Sequence, residues 1–253
     1  MLGPFLFEHY ARNLAARIEA PAGGRILEIA CGTGISTEQA RSALDASISI
    51  AATDLNPPML EHAQAKRGHL AGIEFSQADA QALPFGDGEF DALYCQFGAM
   101  FLPDKSLGFS EFFRVLKPGA MIAFNVWDSL ERNPAMGLVF KVLSDVFTGD
   151  PPQFLTVPFG WYDHDVISAH LEQAGFIDIQ VEDVAHEHSH PSVADLAYGS
   201  VYGNLMILEV EERGTASPDE IVATLASRLS ETYGDNPLRA PLQAVVATAR
   251  LPE

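Results

Sequence analysis

Cysteine is nearly missing from this 253-residue sequence, which holds only Cys31 and Cys95. Two thiols cannot build a disulfide framework or a zinc ribbon. Both lie in apolar or glycine-rich surroundings and read as packed structural thiols. Basic residues are also scarce: 15 Lys and Arg face 34 Asp and Glu, a formal net charge of −19. There is no run of Lys or Arg, so the composition argues against nucleic acid as a partner, because phosphates recruit clustered cations. Long apolar runs are absent too, each being broken by charge, Gly or Pro well short of the ~20 residues of a membrane helix. The opening MLGPFLFEHYARN carries Glu8 and Arg12 and has no basic start, which makes a poor signal peptide. The expectation is a reduced, cytoplasmic setting without an integral membrane segment.

Hydrophobic residues make up 47% of the chain and charged residues 19%, enough for a substantial core. The length suits one large domain, or one with a smaller cap. Phe7, Tyr10, Leu14 and Ile18 recur at three- and four-residue spacing, which predicts an amphipathic helix ended by Pro21–Gly24. Strands are predicted at 25–30, 48–53, 73–75, 90–95 and 120–127, the last entered through a tight turn at Lys117-Pro118-Gly119. Helices are predicted between them: one capped by Ser36 or Thr37 and reaching about Leu44, one from Asn56-Pro57 through Ala65, and one over 106–115. Strand–helix alternation with apolar strands means a parallel sheet covered on both sides. Further on, helices are expected at 136–147, from Asp163 to Gly175, at 192–212 and at 218–231, with strands at 176–184 and 242–248. The long connection between these last strands is expected to fold as a helical cap.

The chemical signal begins at Ile26-Leu-Glu-Ile-Ala-Cys-Gly-Thr-Gly34, where a strand enters a glycine turn and a helix leaves it. Gly32 and Gly34 permit a sharp turn and close approach of a ligand to the backbone and to the free N–H groups of a helix start. They can equally serve only the turn. Asp54 follows Gly34 by 20 residues at the end of the next strand, where a carboxylate accepts from ribose hydroxyls or favours a helix entry. Asp79 ends the third strand, placed to accept from an exocyclic amine such as that of adenine. Two ligand classes fit. A dinucleotide wants a third glycine where Thr37 stands, and no Tyr here has a Lys four residues later. S-adenosylmethionine is the other.

On Leu27-Glu-Ile-Ala-Cys-Gly-Thr-Gly34, Asp54, Asp79 with Leu83-Pro-Phe85, Phe90-Asp-Ala-Leu93 and Arg114-Val-Leu-Lys-Pro-Gly119, the sequence resembles the class I S-adenosylmethionine-dependent methyltransferases. The likeness is greatest to the small-molecule branch that includes ubiquinone/menaquinone-biosynthesis-type enzymes. It runs from about residue 20 to 128, and the tail strands resemble the family as well. Ala30 stands where the family loop often carries Gly. The resemblance implies an α/β, Rossmann-like, doubly wound sheet of seven strands, mostly parallel with an antiparallel last strand, plus a helical cap. It implies one methyltransferase domain over 1–253, with a lid helix in 1–20, a cofactor core over 21–128 and cap insertions at 129–162 and 191–238. It implies S-adenosylmethionine as cofactor, S-adenosylhomocysteine as product and a small-molecule methyl acceptor. Glu28 would help hold the methionine amino group. Ala30, Cys31, Gly32, Thr33 and Gly34 would line the methionine and ribose. Asp54 would take the ribose hydroxyls, with Leu55 by the adenine; Met59 would touch that region or else belong to the helix core. Asp79 would take the adenine amine and Ala80 touch its ring. Gln96 and Phe97 would lie beside the methionine and the acceptor entrance, and Tyr10 would close the first helix over the cofactor or else serve as an ordinary core or surface tyrosine.

The acceptor side is less defined. Trp127, Trp161, Tyr198 and Tyr202, with Phe154 and Phe159, read either as an aromatic pocket for an apolar or aromatic acceptor or as ordinary core. His186, His188 and His190 alternate, so on a strand they share one face. They can act as a base, bind a metal, or simply form a solvated strand end. No metal is assigned and no catalytic side chain is named. Asp163 and His164 read as a helix cap. Exposed apolar cap helices can equally pair two subunits as a homodimer or gate one pocket. The alternatives to methyl transfer are a nicotinamide-dependent oxidoreductase and a non-catalytic cofactor-binding relative.

Overall fold

The computed structural model describes residues 3–235 and 237–253, with side chains from residue 6 onward. Met1 and Leu2 of the expected lid, and Asn236 of the expected cap, lie outside the described residues. The chain starts with α1 (Gly3–Ala15). It then alternates through β1 (Arg25–Ile29), α2 (Ile35–Ala43), β2 (Ser49–Asp54), α3 (Pro57–Arg67), β3 (Ile73–Gln77) and β4 (Phe90–Gln96). α4 (Lys105–Val115) leads into β5 (Leu116–Trp127), followed by α5 (Pro134–Val146) and α6 (His164–Ala174). β6 (Ile177–His190) and β7 (Leu238–Arg250) are separated by α7 (Val193–Tyr202), α8 (Met206–Arg213) and α9 (Pro218–Tyr233).

The seven strands form one sheet in the order β3-β2-β1-β4-β5-β7-β6. β1 pairs in parallel with β2 and β4, β2 with β3, and β4 with β5. The last strands run antiparallel. This is the Rossmann-like doubly wound sheet that the resemblance implies, and its parallel part is what the alternation predicts. Ile26, Leu27, Ala92 and Leu93 are fully buried, as expected for strands covered on both faces. The strand order reverses direction between β1 and β4, so the carboxyl ends of these two strands flank a crevice, the usual ligand site of such sheets.

Cα proximity divides the chain into two compact units. One comprises 7–126, 162–183 and 244–253; the other gathers the start of α1 with 127–161 and 184–243. In the first unit, α6 lies against α4, and Phe113 meets Phe176 edge-on at 5.4 Å. Both ends of α6 follow local rules. Asp163 accepts from the N–H groups of Asp165 and Val166, and Gly175 ends the helix at φ 101°, where a Cβ would press on the Phe113 ring. In the second unit, α9 packs on α7 and α5 and opens with a reciprocal Ser217–Glu220 capping box.

Local structure departs from sequence expectation in several places. Ser36 and Thr37 do not cap α2: Gly34, in the left-handed region at φ 83°, occupies the cap, and both hydroxyls lie buried inside the helix. Lys117-Pro118-Gly119 is not a turn ahead of β5 but a bulge within it, since Phe90 pairs with Leu116 and Ala92 with Met121. Lys117 Nζ fixes the bulge by donating to Asp91 Oδ1 at 2.8 Å. The helix expected over 192–212 is two helices. Gly203 ends α7, and Asn204 both donates to the Ser200 carbonyl and accepts from Met206 N–H, so its side chain replaces helical bonds. β6 continues six residues past Val184, to His190.

Asp163→Ala removes the acceptor for two N–H groups at the start of α6 and should lower unfolding free energy by about 1 kcal/mol. Urea denaturation checks this; an unchanged midpoint would show that the cap contributes nothing.

Candidate functional site

The glycine loop joins β1 to α2 at the crevice. Three of its residues have positive φ: Ala30 at 54°, Gly32 at 54° and Gly34 at 83°. The loop is held from several directions. Cys31 N–H donates to the Thr53 carbonyl at 2.9 Å, and Gly34 N–H to the Cys31 carbonyl at 2.8 Å. Arg67, reaching over from α3, donates to the Thr33 carbonyl at 2.7 Å and pairs with Glu38 at 3.0 Å. Gly34 makes room for that arm, because a Cβ there would come within 2.7 Å of Arg67 Cδ. Gly32 differs: a Cβ added to it would meet nothing within 4 Å, so this stretch of backbone faces open space.

Asp54 ties the loop to the next strand. Its Oδ2 accepts from Gly32 N–H at 2.7 Å and its Oδ1 from Asn56 N–H at 2.9 Å. Each carboxylate oxygen keeps a lone pair for a ligand hydroxyl. Leu55 and Met59 follow, 62% and 40% exposed, so two apolar side chains stand uncovered beside the acid; Met59 is not helix core. Gln77 Nε2 donates to the Leu55 carbonyl at 2.9 Å and fixes this edge. Asp79 is exposed and turns the chain, its Oδ1 accepting from Gln81 N–H, with Ala80 half-buried beside it.

Glu28 lies below the loop and is fully buried. The Ser36 hydroxyl donates to its Oε1, while Oε2 has no hydrogen-bond partner. Burial pushes its carboxyl from 4.5 up to about 7; the facing Ser36, Thr37 and Tyr94 hydroxyls pull the other way, and the Asp54 charge adds to the push. Burial also raises both thiols, Cys31 far out of range and Cys95 to about 12, and so makes them inert.

At the end of β4, Gln96 is 9% exposed and donates to the Phe7 carbonyl of α1 at 2.9 Å. Phe97 has φ 51°, a left-handed value that is strained for an aromatic residue. Its ring lies 5.6 Å from Phe7 and edge-on to Tyr10 at 5.5 Å. Tyr10 is fully buried, and its hydroxyl is raised by that burial. Behind Phe97, Gly98 leaves space for the Ala30 methyl: a Cβ on Gly98 would come within 2.5 Å of Ala30 Cβ.

Two stacked pairs stand among the described aromatic residues of the second unit. Trp127 is buried and stacks on Phe159 at 6.0 Å, with Trp161 half-buried nearby in sequence. Tyr198, 57% exposed, stacks on Tyr202 at 4.6 Å, and the Tyr202 hydroxyl donates to Asp219 at 2.7 Å. His186, His188 and His190 share a face of β6, but it is no solvated strand end. His188 and His190 are buried with rings 5.8 Å apart, and burial lowers the His188 imidazole to about 4. Among the described residues no three His, Cys, Asp or Glu side chains are grouped as a metal would need. No described helix is long and apolar enough to cross a membrane. Sequence reasoning missed Arg67 and Asn125. Nothing in its spacing marks Arg67, whereas Asn125 was visible as a lone amide in an apolar strand.

A carboxyl whose folded value is raised stabilises the fold below its unfolded value of 4.5, and that contribution is lost as pH rises through about 7. Isosteric Glu28→Gln should therefore gain about 3 kcal/mol on the wild type between acid and mildly alkaline pH. Urea denaturation across that range tests it, and parallel curves would disprove the buried charge penalty.

Residues 27–124 match the family described as Methyltransferase domain. A demethylmenaquinone methyltransferase of Clavibacter sepedonicus is 34% identical over 187 residues, covering 67% of this chain and 72% of that protein. An uncharacterized protein of Mycobacterium bovis is 36% identical over 107 residues, 42% of this chain but only 38% of that protein's length. Among solved structures, a phosphoethanolamine N-methyltransferase of Haemonchus contortus, in complex with phosphomonomethylethanolamine and S-adenosylhomocysteine, superposes with a TM-score of 0.60 at 19% identity, over 97% of this chain and 53% of that one. That likeness is one of fold.

Proposed function

Because the chain belongs to the class I S-adenosylmethionine-dependent methyltransferases, we propose that it transfers a methyl group from S-adenosylmethionine to a small, apolar or aromatic acceptor. The observation that carries this reading is the Gly32–Asp54 arrangement. An open stretch of backbone, an acid at its edge and two uncovered apolar side chains suit a ribose with an attached base. The residues present fit the cofactor. Asp54 would accept from the ribose hydroxyls, Leu55 and Met59 would lie against the adenine, and Asp79 would accept from its amine with Ala80 beside the ring. Ala30, Cys31, Gly32, Thr33 and Gly34 would line the ribose and methionine. Glu28 acts from below the loop, through Ser36, as a positioning residue. Gln96, Phe97 and Tyr10 would bound the methionine end. The aromatic residues Trp127, Trp161, Tyr198 and Tyr202 are what supports an apolar or aromatic acceptor.

Bound S-adenosylmethionine supplies a methyl on a sulfonium, a good leaving group for in-line displacement by an acceptor lone pair. The chain's part is alignment and exclusion of water, and well-oriented reactants can gain ~7–11 kcal/mol from alignment alone. No side chain of the described site must form a covalent bond, which fits the inert, buried thiols.

Calorimetric titration with S-adenosylmethionine, S-adenosylhomocysteine and NADH tests the reading. The first two should bind one-to-one and NADH should not. Asp54→Ala removes two charge-assisted hydrogen bonds and should weaken both about 100-fold. Binding of NADH alone, or of none of the three, would refute the proposal. With an acceptor in hand, Trp161→Ala and Tyr202→Ala should raise its KM without altering cofactor affinity; a loss of cofactor affinity instead would remove the cap aromatics from the acceptor site.

A further inference from the structure

Two charged side chains from outside the glycine loop, Asp54 and Arg67, each pin one of its peptide units. Across a trans peptide the carbonyl and the N–H point opposite ways, so bonds at both ends fix the orientation of the plane. In the Cys31–Gly32 unit the carbonyl accepts from Gly34 N–H at 2.8 Å, and the N–H donates to Asp54 Oδ2 at 2.7 Å. In the Thr33–Gly34 unit the carbonyl accepts from Arg67 Nη1 at 2.7 Å, and the N–H is that same Gly34 donor. The unit between them, Gly32–Thr33, borders the open space that a Cβ on Gly32 would enter.

Glycine accepts either sign of φ, so Gly34 by itself lets the Thr33–Gly34 plane turn over. Turned over, the plane would set the Thr33 carbonyl against the Cys31 carbonyl, and the loop would lose its closing bond. Arg67 opposes that rotation, and its guanidinium is itself aimed. Nε and Nη2 lie 3.1 and 3.0 Å from Glu38 Oε2, which leaves Nη1 for the Thr33 carbonyl. The side chain is only 15% exposed, so water competes weakly for these bonds. Arg67 is the last residue of α3, and the start of that helix is tied to Asp54 through Asn56 N–H. Both ends of α3 are thus joined to the loop assembly, and Leu55 and Met59, set to lie against the adenine, stand at its first end. We propose that Arg67 is a positioning residue for the cofactor: from α3 it locks the Thr33–Gly34 peptide and so keeps the surface that the ribose and methionine would meet. This rests on the methyltransferase reading above and adds a residue that acts on its site through the loop.

The probe is S-adenosylhomocysteine, titrated calorimetrically into the full chain. Arg67→Met keeps most of the stem beside Gly34 and removes the guanidinium. It should weaken binding about tenfold, the worth of one charge-assisted hydrogen bond. Amide exchange, followed by NMR on glycine-labelled chain, is the second readout. Gly34 N–H should exchange faster in the variant, while Gly24 N–H, bonded to the Pro21 carbonyl at the other end of β1, should not. A merely structural ion pair would lower the urea midpoint and speed both amides, with the affinity of the folded chain unchanged; that result overturns the proposal. So does a Gly34 N–H that is unprotected in the free wild type, a measurement that needs no variant to fold. Wild-type affinity for S-adenosylhomocysteine is measured first. No binding there fails the methyltransferase reading, whereas wild-type binding that Arg67→Met matches within about twofold fails Arg67 alone.

Discussion

Asp54 is bonded through both carboxylate oxygens to main chain, to Gly32 on one side and to Asn56 on the other. Those two bonds join the exit of β2, the start of α3 and the tip of the glycine loop. The loop needs such an anchor, because three residues in the left-handed region within five positions are not a conformation a free chain would keep. Arg67 restrains the same loop from α3, and Thr53 holds Cys31 and, through its hydroxyl, the Glu28 carbonyl. The outcome is a backbone surface set before any ligand arrives, and pre-set surfaces bind without an ordering penalty.

Beneath that surface lies a polar row inside an otherwise apolar sheet. Glu28 pairs in register with Tyr94, and Gln96 with Asn125, so the four side chains share one face across β1, β4 and β5. All four are buried, and each has an atom that lacks a hydrogen-bond partner. A row of this kind destabilises a core unless it serves something else. It sits where the strand order reverses, the place where such sheets bind ligands and where function can repay that penalty.

Legibility in the sequence followed the range of the interactions. Local rules read well: Asp163 and Gly175 bound α6 as their side-chain chemistry requires, and strand–helix alternation revealed the parallel sheet. The glycine loop and Asp54 were visible because a fold-specific spacing separates them. Features set by tertiary partners did not read. Ser36 looks like a helix cap but faces Glu28 eight residues earlier, inside the protein. The bulge at Lys117–Gly119 depends on Asp91, and β6 runs on to His190 although Pro191 follows, its last histidines buried. Gln96 and Asn125 come together only through strand register, which no local pattern encodes.

Ala30 and Gly98 carry a consequence for how this loop tolerates change. The methyl of one fills the space left by the missing side chain of the other, at a separation no two Cβ atoms could share. Position 98 is not free to take a side chain while Ala30 stands. Glycine at 30 would relieve the left-handed backbone at that residue, but a side chain at 98 would still press on Cys95 Sγ, 2.7 Å from its Cβ. Position 98 is closed from two sides, by the glycine loop and by the end of β4, and should stay glycine whatever stands at 30.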